Sequence, residues 1–143
     1  MHKAIVIRNA IISLLEPLEA AGTVKEITKG ARNSHDYPSI SVLIGPDDVA
    51  NKNSAFINWE LTVYTDITIS STDEDVDALA QNVRKEIHKA LMADYTLGLD
   101  FVTEIEPIGQ QEPKRSDDSD LYNSVTSVAW LVKYRTSVAD PSL

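Results

Sequence analysis

Residues 125–137 read VTSVAWLVKYRTS, and the alternation within this stretch decides the fold. Thr126, Val128, Trp130, Val132 and Tyr134 fall on one side of an extended chain, and Ser127, Ala129, Leu131, Lys133 and Arg135 on the other. Side chains along a strand point to opposite faces with a period of two, so the pattern predicts a β-strand with its first face on a core. The second face mixes small apolar residues with two cations. The pattern leaves two readings of that face open: a solvated surface, or a contact with another subunit.

Working outward, FVTEIEPI over 101–108 predicts a preceding strand after a turn at Gly98, and KRSDDSD over 114–120 a polar loop. The stretch 55–70, AFINWELTVYTDITIS, predicts a long strand. Ile57, Trp59, Leu61, Val63 and Ile67 lie on one side, and Asn58, Glu60, Thr62, Tyr64, Asp66 and Thr68 on the other. SISVLIG, 39–45, predicts another strand, ended by the turn signal GPDD at 45–48. TVKEITKG, 23–30, offers a short strand through Val24 and Ile27, and ARNSHDYP, 31–38, a turn-rich connection.

Two segments carry helical spacing instead. Ala4, Ile7, Ile11, Leu14, Leu15 and Leu18 predict a helix from His2 to Glu16 or, past Pro17, to Ala20. Val76, Leu79, Ala80, Val83, Ile87, Ala90 and Leu91 predict a second, with Thr72 as N-cap and Asp73, Glu74 and Asp75 in its first turn. The expected fold is a single α+β domain over residues 1–143. Two helices pack on one face of a mixed or antiparallel sheet of about five strands, in the order helix, three strands, helix, two strands, with 138–143 a loose tail.

The chain has 143 residues, enough to bury roughly 68–70% of its unfolded surface in one core. Its 13 basic and 22 acidic residues give a net charge of −9, which argues against gripping duplex nucleic acid through phosphates. It contains no cysteine, so disulfides, thiolate nucleophiles and cysteine metal sites are excluded. The N-terminal stretch reads as an amphipathic helix rather than a secretory signal, since Arg8, Asn9 and Glu16 interrupt it. No segment reaches the ~20 apolar residues of a membrane span.

Catalytic signatures are sparse. His2, His35 and His88 show no metal-binding spacing and read as solvated side chains. GxSxG, GxxxxGK[ST] and GxGxxG are absent. Asp117, Asp118 and Asp120 supply oxygen ligands, but the loop lacks the glycine and distal glutamate of a calcium hand. Glu60 with Asp66, or Glu104 with Glu106, could pair as acid and base; alternation accounts for them as an exposed sheet face. No cofactor is expected.

Several stretches together resemble the tail terminator proteins of long-tailed phages, the minor tail protein U type. They are IRNAIISLLEPLEAAG (7–22), YPSISVLIGPDD (37–48), FINWELTVYTDI (56–67), DVDALAQNVRKEIHKAL (75–91) and VAWLVKYRTSVADP (128–141), the last containing W-x-V-x-Y-R. The resemblance spans nearly the whole chain as order and texture. It implies a non-enzymatic virion protein, assembled in the host cytoplasm, that closes a homo-hexameric ring on the head-proximal end of the tail tube. Such a ring stops tube polymerisation and offers a surface to the head–tail connector, while genomic DNA passes through without specific binding. The expected partners are therefore a second copy of the chain, the major tail tube protein and the connector, with no membrane.

Tyr64, Glu60, Asp66, Lys133 and Arg135 are the candidate subunit-interface residues, with the two cations expected to meet a neighbour's carboxylates. The polar connections GPDDVANKNS (45–54) and QQEPKRSDDSD (110–120) supply Asp47, Asp48, Lys52, Lys114, Arg115, Asp117 and Asp118 as candidates for tube, connector or lumen contacts. A neck or tail-completion protein is the alternative reading, and a small metal-dependent hydrolase using Asp117 to Asp120 a second.

Overall fold

The computed structural model describes residues 2–29, 37–118, 121–140 and 142. The elements run α1 (Lys3–Ala20), β1 (Glu26–Lys29), β2 (Ser39–Lys52), β3 (Phe56–Ser71), α2 (Val76–Met92), β4 (Val102–Gln110), β5 (Lys114–Asp118) and β6 (Leu121–Ser137). Their order agrees with the expected α+β arrangement, with β5 as a sixth strand. The sheet is ordered β1–β2–β3–β6–β4, and β5 also pairs with β6. Among the described residues only β1 and β2 run parallel; the other pairings are antiparallel.

The alternation in β6 carries through. Val128, Trp130, Val132 and Tyr134 are at most 1% exposed and join Leu61, Val63 and Ile67 of β3 in the core. Ile7, Ile11 and Leu15 of α1 and Val83, Ile87 and Leu91 of α2 cover this face of the sheet. Thr65 interrupts the apolar side of β3 yet is fully buried. Its hydroxyl accepts from the Trp130 indole at 3.0 Å and donates to the Val128 carbonyl at 3.3 Å, so both polar side chains are satisfied.

Both helices start and stop for local reasons. His2, expected as a solvated side chain, caps α1: its Nδ1 accepts from the Ala4 amide at 3.0 Å. Pro17 lies inside α1, which continues to Ala20. Gly22 then adopts φ 82°, and the Thr23 amide bonds back to the Leu18 carbonyl at 2.9 Å. In α2 the cap is Asp75 rather than Thr72, its carboxylate accepting from the Ala78 amide at 3.1 Å.

Two expected loops are strands. GPDD does not end β2, which shifts register between Ile44 and Asp47 and continues beside β3 to Lys52. Among the described residues nothing pairs with the far side of β2 beyond Val42, and there Pro46 forfeits no ladder hydrogen bond. The turn comes later, where the Asn53 side chain accepts from the amides of Ala55 and Phe56, both at 2.8 Å. Likewise Lys114–Asp118 is an edge strand on β6. The expected connection at 31–36, with His35, and residue Asp120 lie outside the described residues, as does the side chain of Asp118.

Candidate interaction surface

Neither α1 nor α2 covers the second face of the sheet. The registers Asp48↔Glu60, Glu60↔Lys133 and Lys133↔Glu104 draw a charged row straight across four strands of it. Lys133 Nζ donates to Glu104 Oε1 at 3.0 Å and lies 3.8 Å from Glu106 Oε1. The Glu104 hydrogen bond, with the charges of Glu106 and Glu104, raises the lysine above its usual range. The row thus holds three carboxylates and one ammonium, with Glu106 beside it, and Glu104 and Glu106 are engaged with that lysine rather than poised as an acid–base pair.

Beside the row lies an apolar strip. Thr62 faces Leu131, and Tyr64 faces Ala129. Ile108, 56% exposed, adjoins Tyr64 and Ala129 along a shallow groove. Gly45 on β2 belongs to the same close packing: a Cβ there would meet a Tyr64 ring carbon at 2.5 Å and the Thr62 carbonyl at 3.0 Å. Asp66 faces Ser41 on one side and Ser127 on the other.

The five residues singled out for subunit contact share this face. Glu60 stands directly across from Lys133 in the same chain. Arg135 is exposed, its Nε donating to Asn58 Oδ1 at 3.1 Å and its guanidinium resting 5.0 Å from the Phe56 ring centroid.

The residues expected in contact loops do not cluster. Asp47 turns to the helix side, where its Oδ2 accepts from the Tyr134 hydroxyl at 2.6 Å. Asp48 joins the charged row, and Lys52 ends β2 at the hairpin. Lys114, Arg115, Asp117 and Asp118 lie along β5. Arg115 grips Asp77 of α2 through Nε and Nη2 at 2.9 and 3.0 Å, fastening the edge strand to the helix. No group of three or more His, Asp or Glu with metal-binding geometry occurs among the described residues.

Sequence reasoning missed the cross-strand row, although the acidic signal was present in Asp48, Glu104 and Glu106. A cationic stretch also runs along the C-terminal half of α2. Arg84, Lys85, His88 and Lys89 line one shallow depression there, with Arg84 Nη1 bonded to Gln110 Oε1 at 2.9 Å.

The fold and this face define a two-layer α+β protein with one sheet surface left open. No protein-family model matches the chain, and no curated protein matches it. Among solved structures it is similar to a chain in the virion of a native gene transfer agent (GTA) particle, with TM-score 0.61, 14% identity, and coverage of 90% of this chain and 94% of that one. At that identity the likeness shows a shared fold.

Proposed function

We propose that the chain is a non-enzymatic structural protein of a virion, a single-domain ring subunit of the tail-terminator type. It would cap the head-proximal end of the tail tube, bind the tube protein below and the head–tail connector above, and let DNA pass. The observation that carries this reading is the fold shared, over nearly the full length of both chains, with a virion component. The open sheet face supports it, because a mixed apolar and charged sheet surface suits subunit contact.

The net charge of −9 fits as well. An acidic lumen would repel DNA phosphates, and mutual repulsion would keep free subunits from closing early. Closure on the tube end would proceed because the template offsets the entropy of association.

Native mass spectrometry across a protein concentration series tests the reading. Monomer at low concentration giving way to a closed hexamer, without longer open polymers, is the expected outcome. Monomer at every concentration would count against the ring and favour a tail-completion protein.

A further inference from the structure

The sheet side carries an acidic row and α2 a cationic stretch. On the sheet side, Glu60, Glu104 and Glu106 surround Lys133, which already serves two of them, and Asp48 extends the row beyond Glu60. On the other side, Arg84, Lys85 and Lys89 lie within six residues of α2 with only Glu86 among them as a carboxylate. The Lys85 and Lys89 side chains are 58% and 66% exposed. In a chain with 13 cations and a net charge of −9, such a cationic stretch is an exception.

We propose that these surfaces are the two halves of one interface, in which a second copy of the chain lays the α2 cations Arg84, Lys85 and Lys89 on the acidic row of Asp48, Glu60 and Glu106. The inference rests on the ring reading above and names the contact that would build it. Charge decides the pairing. Sheet against sheet would oppose two acidic rows, and α2 against α2 two cationic stretches; only sheet against α2 joins opposite signs. Tyr64, Leu131 and Ile108 beside the row offer apolar surface to the aliphatic stems of the lysines.

Geometry then decides the assembly. α2 packs on the core side of the sheet, so the exposed Lys85 and Lys89 lie on the side of the two layers away from the acidic row, with Arg84 at the flank against Gln110 of β4. A contact between the two surfaces is head-to-tail and repeats from copy to copy, as a closed ring requires and a two-fold dimer does not.

Charge exchange tests the pairing. Lys85→Glu/Lys89→Glu makes both surfaces of one variant acidic. Asp48→Lys/Glu106→Lys makes both surfaces of the other cationic, while Glu104 still holds Lys133. Each variant alone should remain monomeric, with an unchanged circular dichroism spectrum, at concentrations where the wild-type chain is a closed oligomer in native mass spectrometry. Their equimolar mixture should restore the closed oligomer, with the two masses alternating in equal numbers. A wild-type ring together with rings from either variant alone would overturn the face pairing and leave the ring reading standing. Folded variants whose mixture stays monomeric would also overturn the pairing. A wild-type chain that never associates would overturn both.

Discussion

Tyr134 shows how one residue ties three parts of the molecule together. It is 1% exposed, stacked on Trp59 at 6.3 Å between ring centroids, met edge-on by Phe101 at 6.5 Å, and bonded to Asp47. Burial, with the neighbouring carboxylate, pushes its phenol well above the usual tyrosine range. Burial also raises the Asp47 carboxyl, outweighing the Tyr134 hydrogen bond and the charge of His2.

A folded-state value above the unfolded one means that the native chain holds this proton more tightly. The group therefore favours folding at low pH, and that contribution is lost as pH rises from the ordinary 3.8 through the raised folded value. Asp47→Asn removes the titration. Its melting temperature should gain on the wild type as pH climbs through that window; parallel curves would show that Asp47 titrates normally. Tyr134→Phe leaves the carboxylate without its donor and should lower stability by about 1.5–3 kcal/mol in urea unfolding at neutral pH. The alternation placed Tyr134 inward, but no pattern in GPDD signalled its partner, because the pair is 87 residues apart.

The elements divide by whether their determinants are local. Both helices, β3 and β6 were legible because an apolar stripe of the right period needs only its own residues. The α2 cap was misplaced, since Thr72, Asp73 and Asp75 are all competent caps. Val76, 5% exposed, is the first stripe residue to reach the core, which places the helix start immediately after Asp75. Asp75→Ala should therefore lower stability by about 1 kcal/mol, and Thr72→Ala should leave the thermal melt nearly unchanged. Equal effects would reassign the cap. β5 had no legible signal. KRSDD contains no apolar residue, and it is extended because β6 offers it a ladder and Asp77 holds Arg115. Continuation of β2 through Pro46 depends in the same way on an edge that only the assembled sheet creates.

At the scale of the whole molecule, the open sheet face is the surface on which the proposed assembly turns. Arg135 sits at its end, and its own contacts are exposed, so they contribute little to folding. On the face pairing proposed above, Arg135→Glu adds a carboxylate to the surface that receives the α2 cations, so the ring should persist in native mass spectrometry with an unchanged circular dichroism spectrum. Loss of the ring would instead set Arg135 against a neighbour's carboxylates. Of the candidate residues, Tyr64, Glu60, Lys133 and Arg135 were legible as one surface because they alternate on two long strands. Their relation to Asp48 and Glu104 was not, because strand order and register decide which residues share a row.

By itself the sequence determined the class of fold, the two helices, the long strands and which face of each is buried, since these follow from hydrophobic period along a single segment. It determined the acidity of the chain as well. The tertiary structure alone decided that β5 is a strand, that Asp47 turns inward to Tyr134, and that four strands align Asp48, Glu60, Lys133 and Glu104 into one row opposite the cations of α2. Those features depend on contacts between residues far apart in the chain, and periodicity carries no information about pairing.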